Sequence, residues 1–302
     1  MTRRWTLALA ALAATSLLVS PVLAEPPITA LAPVDTILDG RHELVGVAVT
    51  ADGVRYVSDR GAGLVYRLDA GGALTVAAAN LDRPAGLALD AQERLLVVEE
   101  HAGRIRRLEA GALTVIAQGL KKPRWIVAAG DGAFYVSVDR VHESGRPPHE
   151  HGGGIVRIAV DGAAAVVATG IDHVEGLARV NGHLLAASRG LVRRRPPAGT
   201  LLRYAVLADG TLGAPVAWVA AGLRQPMALA VDALAAVYVT SKHLTIEEDR
   251  AHRAIGKVHP GGGITDFAAR LSDPRGLAFG PDGALYVADG RSGRLLRFRA
   301  PP

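Results

Sequence analysis

Six copies of one short sequence pattern, spaced 39 to 52 residues apart, constrain the fold of this chain more than any other feature. The clearest copy, residues 273–298, reads DPRGLAFGPDGALYVADGRSGRLLRF and predicts three short strands joined by two glycine-containing turns. Three such strands cannot bury a core alone, so the copies must pack together. Their first strands align at Gly46, Gly86, Trp125, Gly176, Ala228 and Gly276. The repeat predicts an all-β, six-bladed β-propeller of four-stranded antiparallel blades.

The two ends of the chain are predicted to complete one blade together. Each of the first five copies continues into a fourth apolar segment, whereas the last copy stops after its third strand. Residues 31–38 resemble the fourth segments and precede Gly46. We therefore expect this N-terminal strand to pair beside Leu295–Arg299 and close the ring, because a closed ring leaves no open sheet end.

Residues 1–24 have the composition of a signal peptide. The basic start MTRR precedes an uncharged, mostly apolar run at residues 5–19, and small residues lie before Glu25. The run is shorter than the ~20 residues of a membrane-spanning helix. We expect cleavage, a single domain over residues 25–302, no membrane span after cleavage, and a periplasmic or secreted protein. An uncleaved N-terminal anchor is the alternative, and the export route stays open.

Composition and charge exclude several classes of function. The formal charge is +5, which falls to about +3 without Arg3 and Arg4, and the remaining basic residues mostly alternate with apolar ones along strands. This pattern indicates solvated blade edges and argues against a nucleic-acid partner. The chain contains no cysteine, which excludes disulfides and thiolate metal sites. We expect a monomer with a small-molecule ligand, or a propeller with a protein partner.

The repeats resemble NHL-type repeats, in the form P-x-G-L-A…D-G-x-L-Y-V-A-D…G-R-L-x-R. They are also similar to the six-bladed propellers of the gluconolactonase/regucalcin, virginiamycin B lyase and strictosidine-synthase-like families. The resemblance covers roughly residues 30–300. It implies a lactonase, a lyase, a sugar dehydrogenase or a binding module, since one fold carries many functions.

Three long connections between second and third strands predict that one face carries the function. They occupy residues 139–154, 189–199 and 242–255, in blades 3, 4 and 5, whereas blades 1, 2 and 6 have short connections. In propellers of the resembling families these connections gather at one mouth of the central channel. Because long loops on a rigid scaffold commonly carry function, we expect the ligand at this looped face.

The six residues that directly precede the aligned first-strand positions are predicted to form a ring around the channel mouth. The ring consists of Val45, Ala85, Arg124, Glu175, Met227 and Arg275. Arg124 and Arg275 are predicted to bind an anionic ligand and to favour the ionised form of Glu175. Glu175 and nearby His173 are the candidate catalytic residues, with a salt-bridge plug of the channel as the alternative role of the ring.

The resemblance also bears on cofactors. In gluconolactonase-like enzymes the ring position carries metal ligands, and Glu175 matches one, but Val45 and Met227 stand where acids are expected. Residues 221–226, AGLRQP, resemble a segment of quinone-dependent sugar dehydrogenases in which an Arg and an Asn help hold pyrroloquinoline quinone. Arg224 matches the Arg, and Gln225 replaces the Asn.

A divalent metal has a second candidate site in the first long loop. His142, His149 and His151 lie there beside two glutamates, and neutral imidazoles bind Zn²⁺ or Cu²⁺. A solvated polar loop is the alternative reading. Acids at the ends of second strands, Asp59, Glu99 and Asp289, are predicted to accept hydrogen bonds from the following turns.

Overall fold

The computed structural model describes residues 28–141, 152–191, 199–219, 222–244 and 253–299. These residues form 26 β-strands in six antiparallel sheets and no helix, so among them no helix could cross a membrane. The sheets are the six blades of a β-propeller, as predicted.

Blades 1 to 3 follow the chain in order. Blade 1 comprises β3 (Leu44–Val49), β4 (Arg55–Asp59), β5 (Leu64–Leu68) and β6 (Leu74–Ala78). Blade 2 comprises β7 (Pro84–Leu89), β8 (Leu95–Glu99), β9 (Arg104–Glu109) and β10 (Ala112–Ala117). Blade 3 comprises β11 (Pro123–Ala128), β12 (Phe134–Val138), β13 (Gly153–Ile158) and β14 (Ala164–Asp172).

Blades 4 to 6 include the two ends of the described chain. Blade 4 comprises β15 (Leu177–Val180), β16 (His183–Ser188), β18 (Thr200–Ala205) and β19 (Val216–Val219). Blade 5 comprises β20 (Leu223–Val231), β21 (Val237–Leu244), β22 (Arg253–Val258), β23 (Ile264–Leu271) and, at its edge, β1 (Thr29–Ala30). Blade 6 comprises β24 (Pro274–Phe279), β25 (Leu285–Asp289), β26 (Arg294–Phe298) and β2 (Val34–Leu38).

The N-terminal strand β2 closes the ring, as predicted. It pairs antiparallel with β26, Val34 opposite Phe298 and Leu38 opposite Leu295. The predicted strand began at residue 31, but Leu31 instead donates its N–H to the carbonyl of Phe267 in blade 5, and β1 pairs with β23. The N-terminal segment therefore joins blade 5 to blade 6.

Additional strand pairing shortens one of the three predicted long connections and redirects the start of another. β21 ends at Leu244 and β22 begins at Arg253, so the connection of blade 5 is residues 245–252, shorter than predicted. In blade 4, β17 (Gly190–Leu191) leaves its own blade and pairs with β14 of blade 3. The first residues of that loop thus cross the boundary between two blades.

The hydrophobic core lies between neighbouring blades. Leu87, Leu95 and Val97 of blade 2, for example, pack against Val65 and Ala78 of blade 1. Each first strand also lies close to the next blade. A Cβ added to Gly46 would be 2.3 Å from the carbonyl oxygen of Ala85, and one at Gly276 would be 2.1 Å from that of Val45. Glycine occupies this position in four of the six repeats because the strands there approach too closely for a side chain, and Trp125 and Ala228 occupy it in the other two.

Hydroxyl side chains on second strands connect adjacent blades. Ser58 accepts the N–H of Gly46 at 2.7 Å and donates to the carbonyl of Ala85 in blade 2 at 2.7 Å. Ser137 accepts the N–H of Trp125 at 3.0 Å and donates to the carbonyl of Glu175 in blade 4 at 2.7 Å.

The acids at the ends of second strands are structural, but their main partners differ from the prediction. Asp59 accepts from Ala62 in the following turn, as predicted, but also from His42 and Glu43 before the first strand. Glu99 accepts from Asp82, which likewise precedes a first strand. All three acids are fully buried. They therefore mainly fix the segment that leads into each inner strand.

Candidate functional site

All six predicted ring positions line one narrow cavity in the channel. Its volume is about 30 Å³, and Val45, Ala85, Arg124, Glu175, Met227 and Arg275 surround it. A cavity of this size holds about one water molecule. The inner strands, drawn together at their glycines, leave no wider passage at this level.

Two charged residues that the sequence reasoning missed complete this ring. Arg60 of blade 1 and Glu100 of blade 2 also line the cavity and form an ion pair at 2.6 Å. Arg124 of blade 3 pairs with Glu175 of blade 4 at 3.3 Å. Charges therefore alternate around the channel from blade 1 to blade 4. Over this half of the ring, the observed ion pairs correspond to the salt-bridge plug, which was the alternative role of the ring.

The other half of the ring opens into a pocket of about 240 Å³ on the looped face. Glu175, Met227 and Arg275 line both cavities. Arg275 pairs with Asp273 at 2.8 Å, and Arg253 is a second partner of Asp273. The apolar side chain of Met227 interrupts the charge alternation here, and the pocket begins at this interruption.

Among the residues that the structure describes, the pocket lining carries an excess of positive charge. Five cationic side chains line it against two carboxylates, Glu175 and Asp273. Arg189, Lys242 and Arg291 are three of these cations, and none has an ion pair with any residue that the structure describes. Converging unpaired cations in a concave site attract anions, so the pocket is suited to a carboxylate or phosphate.

Glu175 lies at the base of the pocket, and its protonation differs from the expectation. Burial raises the pKa of its carboxyl group, while Arg124, His173 and Arg275 oppose that rise without cancelling it. The prediction considered the flanking cations and omitted burial, which determines the direction. A raised pKa brings a carboxyl group closer to the range in which it can exchange a proton with a ligand.

His173 is brought to the same pocket by an unusual backbone conformation. Its φ of 49° lies in the left-handed region and turns the crossing segment before β15. The exposed ring lines the pocket with Glu175, and its Nδ1 lies 3.8 Å from a carboxylate oxygen of Asp172. The two predicted catalytic residues are therefore neighbours, although the sequence spacing alone did not require it.

The two residues of the quinone-type segment do not converge. Gln225 lines the pocket, with a positive φ of 50°, whereas Arg224 is exposed and is not among the lining residues. The resemblance needs an Arg and an amide acting together on pyrroloquinoline quinone. The residues present do not fit that cofactor.

A resident divalent metal also lacks a suitable donor set in the described part of the chain. Val45 and Met227 offer no ligand atoms at the ring, and nowhere in the described ranges do three His, Asp or Glu side chains come together to hold an ion. His142, His149 and His151 lie outside the described residues, so that prediction is untested.

A sequence signal could have found the missed charges. Arg60, Glu100, Asp139 and Arg189 each directly follow a second strand, and Lys242 holds the equivalent position of the repeat within β21. Only Gly290 of blade 6 is uncharged at this position. The prediction used the register of first strands alone, and a second ring of charges one position beyond the second strands was present in the same repeat.

Comparison with known proteins supports the repeat and the fold. The NHL repeat family model matches residues 271–298, the clearest copy of the pattern. No curated protein sequence matches this chain.

Several solved structures have the same architecture. A gluconolactonase from Xanthomonas campestris is 20% identical, with 89% of this chain and 90% of that chain covered and a TM-score of 0.73. Regucalcin from Agrobacterium tumefaciens, a calcium-binding protein, is 14% identical, with 88% and 93% covered and a TM-score of 0.66. Virginiamycin B lyase from Staphylococcus aureus is 12% identical, with 91% and 100% covered and a TM-score of 0.62. These likenesses show a shared six-bladed propeller fold.

Proposed function

We propose that the protein binds a small organic anion in the pocket at the looped mouth of the channel and cleaves it by acid–base chemistry. The observation that carries this proposal is the set of cations around Glu175, three of them without an ion-pair partner among the described residues. Such cations would orient the negative group of the ligand and hold its reacting part over the carboxyl group.

The chemistry proposed is that of a lactone hydrolase or lyase. Glu175, with its raised pKa, and His173, whose imidazole can donate or accept a proton, would exchange protons with the carbonyl compound. The fold likeness to a gluconolactonase and a virginiamycin B lyase supports a lactone or related carbonyl compound as the substrate.

Binding is tested by titrating D-gluconate, a carboxylate, into the purified protein by calorimetry. We expect Arg189→Gln and Lys242→Gln each to weaken binding by roughly ten-fold, the usual size of one charge-assisted hydrogen bond. Arg67→Gln is the matched control, because Arg67 is a partly buried arginine on β5 that does not line the pocket. Equal affinity in all three variants would contradict the proposal.

Glu175→Gln separates an active site from a plug. In the proposed site, hydrolysis of D-glucaro-1,4-lactone, a lactone with a free carboxylate, falls by about 10²-fold or more, the scale of general acid–base catalysis, while gluconate still binds. In a plug, the variant loses stability and lactone turnover is unaffected. A destabilised variant with parental turnover would overturn the catalytic assignment and leave a non-catalytic binding propeller.

We also propose that the protein is exported and acts outside the cytoplasm. The order of basic, apolar and small residues in 1–24 supports this proposal. N-terminal sequencing of the protein after cell fractionation is expected to give a start near Glu25, and intact Met1 on cytoplasmic protein would contradict it.

A further inference from the structure

A cavity of about 420 Å³ lies outside the candidate site, in the crevice between blades 4 and 5. It is formed by the turns that connect first to second strands and third to fourth strands, and these turns lie on the face opposite the looped mouth. Asn181 in the β15–β16 turn, Leu234 in the β20–β21 turn and His259 in the β22–β23 turn all line it. Its volume is in the ordinary range of small-molecule pockets.

The wall of this crevice is built across the blade boundary. Trp218 on β19 of blade 4 donates its indole N–H to the carbonyl oxygen of Pro260 in blade 5 at 3.2 Å. In the same turn, a Cβ on Gly262 would be 2.5 Å from the carbonyl oxygen of Trp218, so the two backbones touch. The indole is therefore fixed in orientation, and it forms an apolar wall together with Val180, Val237 and Val258.

The charges that line the crevice, among the residues the structure describes, are all of one sign. Arg203 and Lys257 are the charged residues in this lining, and it includes no described carboxylate. Each cation lies over an aromatic ring, Arg203 at 6.0 Å from the centre of Trp218 and Lys257 at 5.5 Å from that of Tyr238. Neither has an ion pair with a described residue. The aromatic rings hold the cations without neutralising them.

We propose that this crevice is a second binding site, for an organic anion with a flat apolar body, such as an aromatic carboxylate. The apolar wall would cover the body of the ligand, and Arg203 and Lys257 would bind its acidic group. Arg203 lies on blade 4 and Lys257 on blade 5, so the ligand would contact both blades. This site is independent of the function proposed for the channel mouth.

The probe for this site is 2-naphthoate, with uncharged 2-naphthamide as its matched control. Trp218 is one of three tryptophans in the chain, and its indole N–H signal can be assigned in the ¹⁵N-labelled protein by its loss in Trp218→Phe. We expect 2-naphthoate to shift this signal saturably and 2-naphthamide to bind roughly ten-fold more weakly, the effect of losing one charge-assisted contact. An unshifted signal, or equal affinity for the two probes, would overturn the proposal.

Charge substitutions at the rim test the electrostatic part without disturbing the fold. Leu234 lines the crevice and is 90% exposed, so its replacement does not disrupt packing. Leu234→Asp should weaken 2-naphthoate binding several-fold, and Leu234→Lys should strengthen it. Arg203→Gln and Lys257→Gln should weaken it by about ten-fold each.

Lys242→Gln, at the channel mouth, is the control and should leave the affinity for 2-naphthoate unchanged. Loss of binding in this variant would place the naphthoate at the mouth and refute a separate site. Parental affinity in both Leu234 variants would refute it as well.

Discussion

Glu175 shows how burial and neighbouring charge compete at a single residue. Its side chain is 27% exposed, lies 3.3 Å from Arg124, and still has a raised pKa because burial outweighs the attraction of the cations. The ordinary value is 4.5. The folded chain therefore holds this proton to higher pH than the unfolded chain does, and stability falls as pH rises from 4.5 through the folded pKa.

The first prediction concerns this pH dependence. Glu175→Gln removes the titrating group, so the free energy of unfolding of the variant, relative to the parent, should increase as the pH is raised from 4 to 8. Urea denaturation of both proteins at several pH values measures the difference. A constant difference across this range would show that the pKa of Glu175 is not raised.

Asp282 provides a control of opposite sign. The hydrogen bond from Arg297 lowers the pKa of its carboxyl group and, with other hydrogen bonds, overcomes the opposing effect of burial. Its contribution to stability is present above the unfolded pKa and is lost as pH falls through the folded pKa. At pH values below the ordinary 3.8, Asp282→Asn should therefore lose stability relative to the parent as pH rises, whereas the change in Glu175→Gln lies above 4.5.

At the scale of single elements, buried hydroxyls on second strands hold blades together in pairs. Ser58 joins blade 1 to blade 2, and Ser137 joins blade 3 to blade 4. Ser58→Ala and Ser137→Ala should each lower the free energy of unfolding by about 1–3 kcal/mol, because each leaves buried backbone groups without a partner. Thr75→Ala, an exposed hydroxyl on β6, should change it by less than about 0.5 kcal/mol. Equal effects in chemical denaturation would contradict the role of the bridges.

The close approach of inner strands gives a prediction at the same scale. Gly276→Ala should lower the free energy of unfolding by about 2–3 kcal/mol, because its Cβ would meet the carbonyl oxygen of Val45. Gly261→Ala is the matched control, since its Cβ would meet nothing within 4 Å and its φ is outside the left-handed region. Thermal unfolding measures both. A parental Tm for Gly276→Ala would show that the blades can separate at this point.

For the whole molecule, the N-terminal segment should be essential to stability. Deleting residues up to 39 removes β1 and β2, the burial of Leu38 and the paired hydrogen bonds between Asp35 and Arg299, both at 2.9 Å. We expect Tm to fall by roughly 10 °C, which for a chain of this size corresponds to about 5–6 kcal/mol. A variant that begins at residue 28 is the control. Equal Tm values would mean that blade 6 is stable with three strands.

Much of this architecture could be predicted because the repeat encodes it several times over. Strand order, blade number and the ring at Arg124, Glu175 and Arg275 all follow from register within the pattern. Features that occur once could not be predicted this way. The pairing of β1 with blade 5, the crossing of β17 into blade 3 and the burial of Glu175 depend on contacts between distant segments, for which a single copy of the pattern holds no information.

The two strands that close blade 6, β2 and β26, are also synthesised at widely separated times. Residues 34–38 leave the ribosome early, but their partner, residues 294–298, is among the last parts of the described chain to be made. At ordinary rates of synthesis the interval is roughly tens of seconds. Until then β2 has no partner strand, and any blades already formed leave an open ring with unpaired strand edges. Such edges can pair with other chains, so the risk of aggregation lasts until the final strand is available, however stable the finished ring is.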